Sequence, residues 1–248
     1  MKNAHRIGNS VIRPKPMTQE EQVISKLHEL GGAATLRKLY ESVDFSSWKT
    51  KTPTASIRRI VQNSPKCYKI HPGLWGLSSM RTELEKQMSP EDEKFTHGYY
   101  QGILCSLGKI RNFTTFVPSQ DKNRNFVKIP LKDVADTTEI PNFAFPEILR
   151  RAKTVDVIWF RENQMPESFY EVEHTTNIRN SIEKFCDLRD FYAGFYIVAH
   201  ESRERAFHEI MNSSLFSEMR SRVRFCGYEN LVRQYESEKE LSTLPQRI

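Results

Sequence analysis

Apolar positions change their spacing several times along the chain, and each change marks an element. In "TQEEQVISKLHELGG" (18–32), Thr18 and Glu21 stand three apart as a capping box. Val23, Ile24, Leu27 and Leu30 then recur at helical spacing until Gly31-Gly32 ends the run. "TLRKLYESV" is a second short helix. "TPTASIRRIVQN" (52–63) is a third, with Thr52 as cap, Pro53 at the first helical position, and Ile57, Ile60 and Val61 on its inner face. "YKIHPGLWGL" alternates as two short strands around His71-Pro72-Gly73. "SSMRTELEKQMSPEDEK" (78–94) is polar, interrupted by Ser89-Pro90, and reads as a partly helical linker.

A longer pattern follows. "EKFTHGYYQGILCSLGKI" is an amphipathic helix with Phe95, Tyr99, Ile103 and Leu107 on one face. "NFTTFVPS" is strand-like, the stretch 123–146 is a long loop region with at most a short helix, and "PEILRRA" is a turn or two of helix. Two strands come next, Val155–Phe160 and Ser168–His174. Helix, strand, helix, strand and helix then follow in "IRNSIEKFCDLRDF", "GFYIVAH", "RERAFHEIMNSS", "RVRFCGY" and "ENLVRQYESEKE". Strands alternating with helices predict an α/β fold with a mixed sheet covered on both faces. The organisation expected is a basic tail over 1–16, a small unit over 17–80, a linker over 81–91 and a larger unit over 92–248.

Charge sharpens this division. Residues 1–80 hold 13 Lys/Arg against 5 Asp/Glu, and residues 81–248 hold 24 against 26, so the first third carries the whole of the net +6. Such a surplus is an electrostatic footprint for nucleic acid. Three helices followed by a hairpin resemble the winged helix-turn-helix domains attached to bacterial restriction and defence proteins, on "TASIRRIVQ" and "YKIHPGLWGL". That resemblance implies that the third helix enters the major groove, with Lys49, Lys51, Thr54, Ser56, Arg58 and Arg59 facing double-stranded DNA.

The two strands around "RENQMPE" carry acids where apolar residues are expected. If they pair as a hairpin, residues whose numbers sum to 327 or 328 lie opposite, so Asp156 faces Glu171 or Val172. Glu173, two residues beyond Glu171, projects from the same face. Three clustered carboxylates repel unless a cation lies among them, and Mg²⁺ takes such oxygen ligands together with phosphate and water.

Here the chain resembles the PD-(D/E)xK nuclease superfamily, which includes most restriction endonucleases. The resemblance rests on Thr154-Val155-Asp156, then Glu171-Val172-Glu173, then the helix "IRNSIEKF" and the strand "FYIVA", across roughly residues 92–230. It implies a restriction-endonuclease-like fold, a metal-dependent DNA endonuclease using Mg²⁺ (with Mn²⁺ able to substitute), and Asp156, Glu171 and Glu173 as catalytic and metal-binding residues. Glu173 stands where the family has lysine. Lys184, one turn into the next helix, and Lys153 are auxiliary candidates for that role. His97 and Gln101, four apart on a helix face that borders the site in such nucleases, are further auxiliaries. Cutting both strands implies two sites, hence a homodimer on a palindromic target.

Two other readings fit the same residues: a DNA-binding regulator whose nuclease-like domain is inactive, and a modification-dependent restriction enzyme. The remaining features narrow the class. No run nears the roughly 20 apolar residues of a membrane span, the N-terminus lacks a signal-peptide core, and the four cysteines have no zinc-ribbon spacing. A cytoplasmic protein with reduced thiols is expected.

Overall fold

The computed structural model describes residues 17–89, 92–175 and 177–242. The basic tail at 1–16 and the Pro90-Glu91 junction of the expected linker lie outside the described residues. The first unit comprises α1 (Gln19–Glu29), β1 (Ala33–Thr35), α2 (Leu36–Ser42), α3 (Pro53–Asn63), β2 (Cys67–His71) and β3 (Leu74–Leu77). Thr18 and Glu21 exchange both capping-box hydrogen bonds, at 2.7 and 3.2 Å. Val23, Leu27, Leu39, Ile57 and Val61 close a core of the unit's own. Two details depart from expectation. Thr52 occupies the N-cap position of α3 but makes no side-chain cap bond. The unit's sheet also has three strands, in the order β1-β3-β2, because three residues at β1 are too few to show a period of two.

After α4 (Arg81–Met88), the second unit begins with α5 (Glu93–Ile110) and β4 (Thr114–Phe116). The short strands β5 (Asn125–Phe126) and β6 (Ile129–Pro130), α6 (Leu131–Val134) and α7 (Pro146–Ala152) follow. Then come β7 (Val157–Phe160), β8 (Pro166–Glu173), α8 (Ile178–Asp187), β9 (Gly194–Ala199), α9 (Glu204–Met211), β10 (Val223–Gly227) and α10 (Tyr228–Ser242). The main sheet runs β10-β9-β8-β7-β4. β8, β9 and β10 are parallel, while β7 is antiparallel to both β8 and β4. Alternation along the strands divides two cores. Val157, Trp159, Tyr170, Val172 and Val198 pack with the α5 and α10 side. Ile158, Phe160, Phe169, Phe195 and Ile197 pack with Ala152 of α7, Ile182 and Phe185 of α8, and Phe207 and Met211 of α9. The sheet is therefore covered on both faces.

α5 is not the one-sided helix its pattern predicts, for it is buried on nearly every side. The sheet lies along one flank and the β5–β6 hairpin along another. The turn of the first unit covers its N-terminal half, where His71 stacks on Tyr99 and the Tyr99 hydroxyl donates to Pro72 O at 2.7 Å. Gly102 permits the hairpin's approach: a Cβ there would lie 2.4 Å from Phe126 Cβ. Gly102→Ala is expected to destabilise the protein by about 1–3 kcal/mol through overpacking, read as a lower denaturant midpoint.

The first unit also docks through charge. Arg58 of α3 pairs with Glu236 of α10. Lys69 pairs with Glu229 at 2.7 Å, Lys128 Nζ donates to Gly31 O at 2.6 Å, and the Arg37 guanidinium lies 5.0 Å from the Tyr235 ring centre.

Candidate active site

β7 and β8 pair as Val157↔Tyr170, Ile158↔Phe169 and Trp159↔Ser168. Continuing that register by one residue sets Asp156 opposite Glu171, and the backbone agrees: Val172 N–H donates to Asp156 Oδ2 at 2.7 Å. Glu171 and Glu173 follow Phe169 on the face covered by α8. All three acids are buried.

α8 closes over them. Asn177 caps its start by accepting from Arg179 N–H, and this fixes the first turns. Ser181 and Lys184, three residues apart, then face the sheet. The Ser181 hydroxyl lies 3.2 Å from Glu171 Oε2 and also contacts Glu173 Oε1. Lys184 Nζ donates to both oxygens of Glu171, at 2.9 and 2.7 Å, and to Thr154 O at 3.1 Å. Lys184, not the exposed Lys153 at the end of α7, is thus the lysine that reaches the carboxylates.

On the other side of Asp156 stands α5. His97 Nε2 is 3.2 Å from Asp156 Oδ1 and 3.9 Å from Asp121 Oδ2. Gln101 Nε2 donates to Asp121 Oδ2 at 2.9 Å and to Asp156 O at 3.0 Å. The pair four apart on α5 therefore does border the acids. Asp121 and Ser181 are the two site residues that sequence reasoning missed. Ser181 had a signal, since it lies one turn before Lys184 in the helix after the Glu-x-Glu strand. Asp121 had none, being an acid in a loop of mixed polar residues.

Electrostatics separate the two facing acids. Burial opposes ionisation of Asp156, but the charge and hydrogen bond of His97, the charge of Lys184 and the Val172 N–H outweigh it and hold its carboxyl below the usual range. Burial, and then the Asp156 charge, push Glu171 well above the ordinary value despite the opposing Lys184 ammonium. Burial would lower His97, yet Asp156 raises it above its usual value. Lys184 is likewise raised by Glu171 against its own burial. Burial and the neighbouring Asp156 carboxylate thus make the Glu171 carboxylate costly to ionise. Hard oxygen donors in that state fit a divalent cation such as Mg²⁺.

The six basic and hydroxyl residues assigned to DNA are not brought to these acids. They lie on or just before α3 in the first unit. Lys49, Lys51, Arg58 and Arg59 are exposed, Thr54 and Ser56 are half-buried, and Ser56 Oγ donates back to Thr52 O at 3.3 Å. Arg58 is turned toward Glu236 of α10.

Comparison with known proteins places the region that carries these residues in a family. The family described as the type II restriction enzyme NmeDI C-terminal domain matches residues 78–247. The type II restriction enzyme NmeDI of Neisseria meningitidis serogroup C is 28% identical over 132 residues, covering 48% of this chain and 37% of that relative. The match thus spans well under half the relative's length. No solved structure matches. The matched region contains the whole acid cluster and the mixed sheet that carries it, and the flanked α/β arrangement is the restriction-endonuclease-like fold expected. The chain belongs to the family of the type II restriction enzyme NmeDI C-terminal domain.

Proposed function

We propose that this protein is a Mg²⁺-dependent restriction endonuclease that hydrolyses phosphodiester bonds in duplex DNA. The observation carrying this reading is the buried set Asp156, Glu171 and Glu173 on one sheet face, with the Lys184 ammonium on Glu171. Lys184 supplies from α8 the cation that the PD-(D/E)xK pattern places where Glu173 stands. Mg²⁺ held by Asp156, Glu171 and Glu173 would stabilise charge on the scissile phosphate and acidify a water, with Mn²⁺ able to substitute. The chain's own groups do the positioning. Val172 N–H and His97 orient Asp156, Gln101 fixes the backbone at Asp156, and Ser181 holds Glu173 beside Glu171. Glu173 would be a further metal ligand or orient the attacking water.

Residues 17–80 would act as a winged helix contributing to recognition, and a homodimer would place one acid cluster on each strand of a palindromic site. Within α3, Arg59→Ala is expected to weaken duplex binding more than Arg58→Ala, because Arg58 is already engaged by Glu236. Losing a bidentate base contact is worth about 1–3 kcal/mol. Gel shifts of the two variants and the parent at fixed salt compare them, and variants that both bind and discriminate like the parent would remove α3 as the reader.

The activity is tested by incubating supercoiled plasmid with the protein in Mg²⁺, in Ca²⁺ and in chelator. Linear product in Mg²⁺ alone is expected, and unchanged plasmid in every arm refutes the reading. Metal binding has a separate signature in pH. Below the unfolded-chain value for glutamate, about 4.3, Glu171 is protonated in both states. Above it the unfolded chain ionises first, so the stability held in Glu171 declines as pH rises toward its raised folded value. A divalent ion reverses that loss by favouring the carboxylate. The rise in melting temperature on adding Mg²⁺ should therefore be larger at pH 8 than at pH 5, and an equal rise at both contradicts metal binding at Glu171.

A further inference from the structure

The sheet has a second open end, opposite the one that carries the acids. β8, β9 and β10 run parallel, and Glu171 and Glu173 stand at the C-terminal end of β8. At the N-terminal ends, Ser168 pairs with Gly194 and Tyr196 with Arg224. There a cavity of about 470 Å³ opens between the β7–β8 turn, the loop before β9 and the start of β10. That volume falls in the range of ligand pockets, about 300–1,000 Å³. A rise of about 3.3 Å per residue puts Ser168 roughly 17 Å from Glu173.

The sequence builds this cavity from an aromatic edge and a basic wall. Phe191 turns into the core on the α8 side, against Phe143 and Phe169. Its neighbour Tyr192 is left outward at the cavity's edge, 92% exposed. Arg222 holds that loop by donating to Arg189 O and, at 2.5 Å, to Phe191 O. On the floor the Tyr196 ring stacks on Tyr170, with centres 4.9 Å apart. Gly194 leaves room for it, since a Cβ there would lie 2.7 Å from Tyr196 Cε2. Arg161, Arg189, Arg222 and Arg224 line the cavity against the two acids Glu167 and Asp190. Arg161 is neutralised by Glu167, whereas Arg189 meets Glu218 only at 3.8 Å. Arg224 is exposed and makes no hydrogen bond or ion pair among the described residues.

We propose that this cavity binds a nucleoside phosphate, with the base against Tyr192 and the phosphate on Arg224 and Arg189. The two kinds of wall decide the class. A guanidinium fork matches the oxygens of a phosphate, and a bare aromatic ring accepts the face of any base. An inorganic anion would gain nothing from Tyr192, and an apolar ligand nothing from the arginines. The site shares no residue with the proposed nuclease centre or with α3, and it stands whether or not that centre cuts DNA.

The test titrates the full chain, in chelator, with AMP, GMP, CMP and UMP by calorimetry, and then with the matching nucleosides, inorganic phosphate and a single-stranded oligonucleotide. At least one nucleotide is expected to saturate a single site per chain, with its nucleoside and inorganic phosphate each binding far more weakly. Tyr192→Ala should weaken that binding by roughly tenfold, the scale of one base–aromatic stack. Arg224→Ala should weaken it by a similar factor. Both side chains are exposed, so both variants should melt like the parent. Arg150→Ala removes an exposed arginine of α7 outside the cavity and should leave the affinity unchanged. Several results overturn the proposal: no saturable binding of any nucleotide up to millimolar concentration, inorganic phosphate binding as tightly as the nucleotide, or parental affinity in either the Tyr192 or the Arg224 variant. An equal loss in Arg150→Ala would reduce the effect to general surface charge and overturn it too. An oligonucleotide that binds through Tyr192 and Arg224 while no nucleotide does would assign the cavity to a nucleic-acid strand instead.

Discussion

Asp156→Ala should lower duplex cleavage by several orders of magnitude, since metal stabilisation of the transition state is worth several kcal/mol and each ~1.4 kcal/mol is tenfold. Among the described residues, Asp156 alone lies between Glu171, reached through the sheet register, and His97 on α5. DNA binding in Ca²⁺ should survive or tighten, because a negative charge near the backbone has gone. Stability responds to two opposed effects. Removing the carboxylate relieves its repulsion with Glu171, but it also strands the buried Val172 N–H and takes its nearest acid from the half-buried His97 imidazole. An unsatisfied buried donor costs about 1–3 kcal/mol, so a modest fall in melting temperature is expected. Asp156→Asn keeps an acceptor for Val172 N–H and should melt closer to the parent while remaining as inactive. Cleavage, gel shift and melting curves on both variants separate these effects. Retained cleavage in either variant would remove Asp156 from the centre.

Lys184→Ala should have the next largest effect. Its ammonium contacts both oxygens of Glu171 in a nearly closed site. Removing one partner of a buried ion pair destabilises by about 3–5 kcal/mol when the other stays charged. Glu171 can escape part of that penalty by taking up a proton, so the loss should be smaller at pH 5 than at pH 8. Cleavage should fall by roughly 10²-fold or more, the scale expected for one preorganised charged donor in a reaction site. Lys184→Arg keeps the charge but not the compact geometry and should recover only part of the activity. A Lys184→Ala protein that cuts at the parental rate would leave the missing strand lysine without a substitute.

Much of this centre follows from short-range rules. A period of two places Glu171 and Glu173 on one face, and the turn centred near residue 164 sets Asp156 against Glu171 or Val172, between which the folded register chooses Glu171. Helical spacing after β8 makes Lys184 one of two candidates to reach the acids, with Lys153, and the fold brings Lys184 there. Those arguments need only contacts between adjacent elements. The features that escaped them depend on distant segments. Asp121 reaches His97 because the loop after β4 folds onto α5, and Arg58 meets Glu236 across 178 positions of the chain. α5 looks one-sided in sequence because glycines at 98, 102 and 108 write no apolar signal, although other segments approach closely at each of them. β1 is too short to carry a period. Local pattern thus reaches the acids, two candidate lysines and the His97–Gln101 pair, while Asp121 and the choice of Lys184 are visible only in the folded chain.

The central claim is that the Asp156–Glu171–Glu173 cluster cuts duplex DNA at a defined sequence. Its most direct test is to digest methylated and unmethylated plasmid with the parent protein and with Glu171→Gln in Mg²⁺, and to sequence the ends. The account predicts that the parent yields ends at one recurrent sequence in at least one of the two plasmids, and that Glu171→Gln yields none. Ends scattered without sequence preference, no ends from either plasmid, or equal cutting by Glu171→Gln would contradict it.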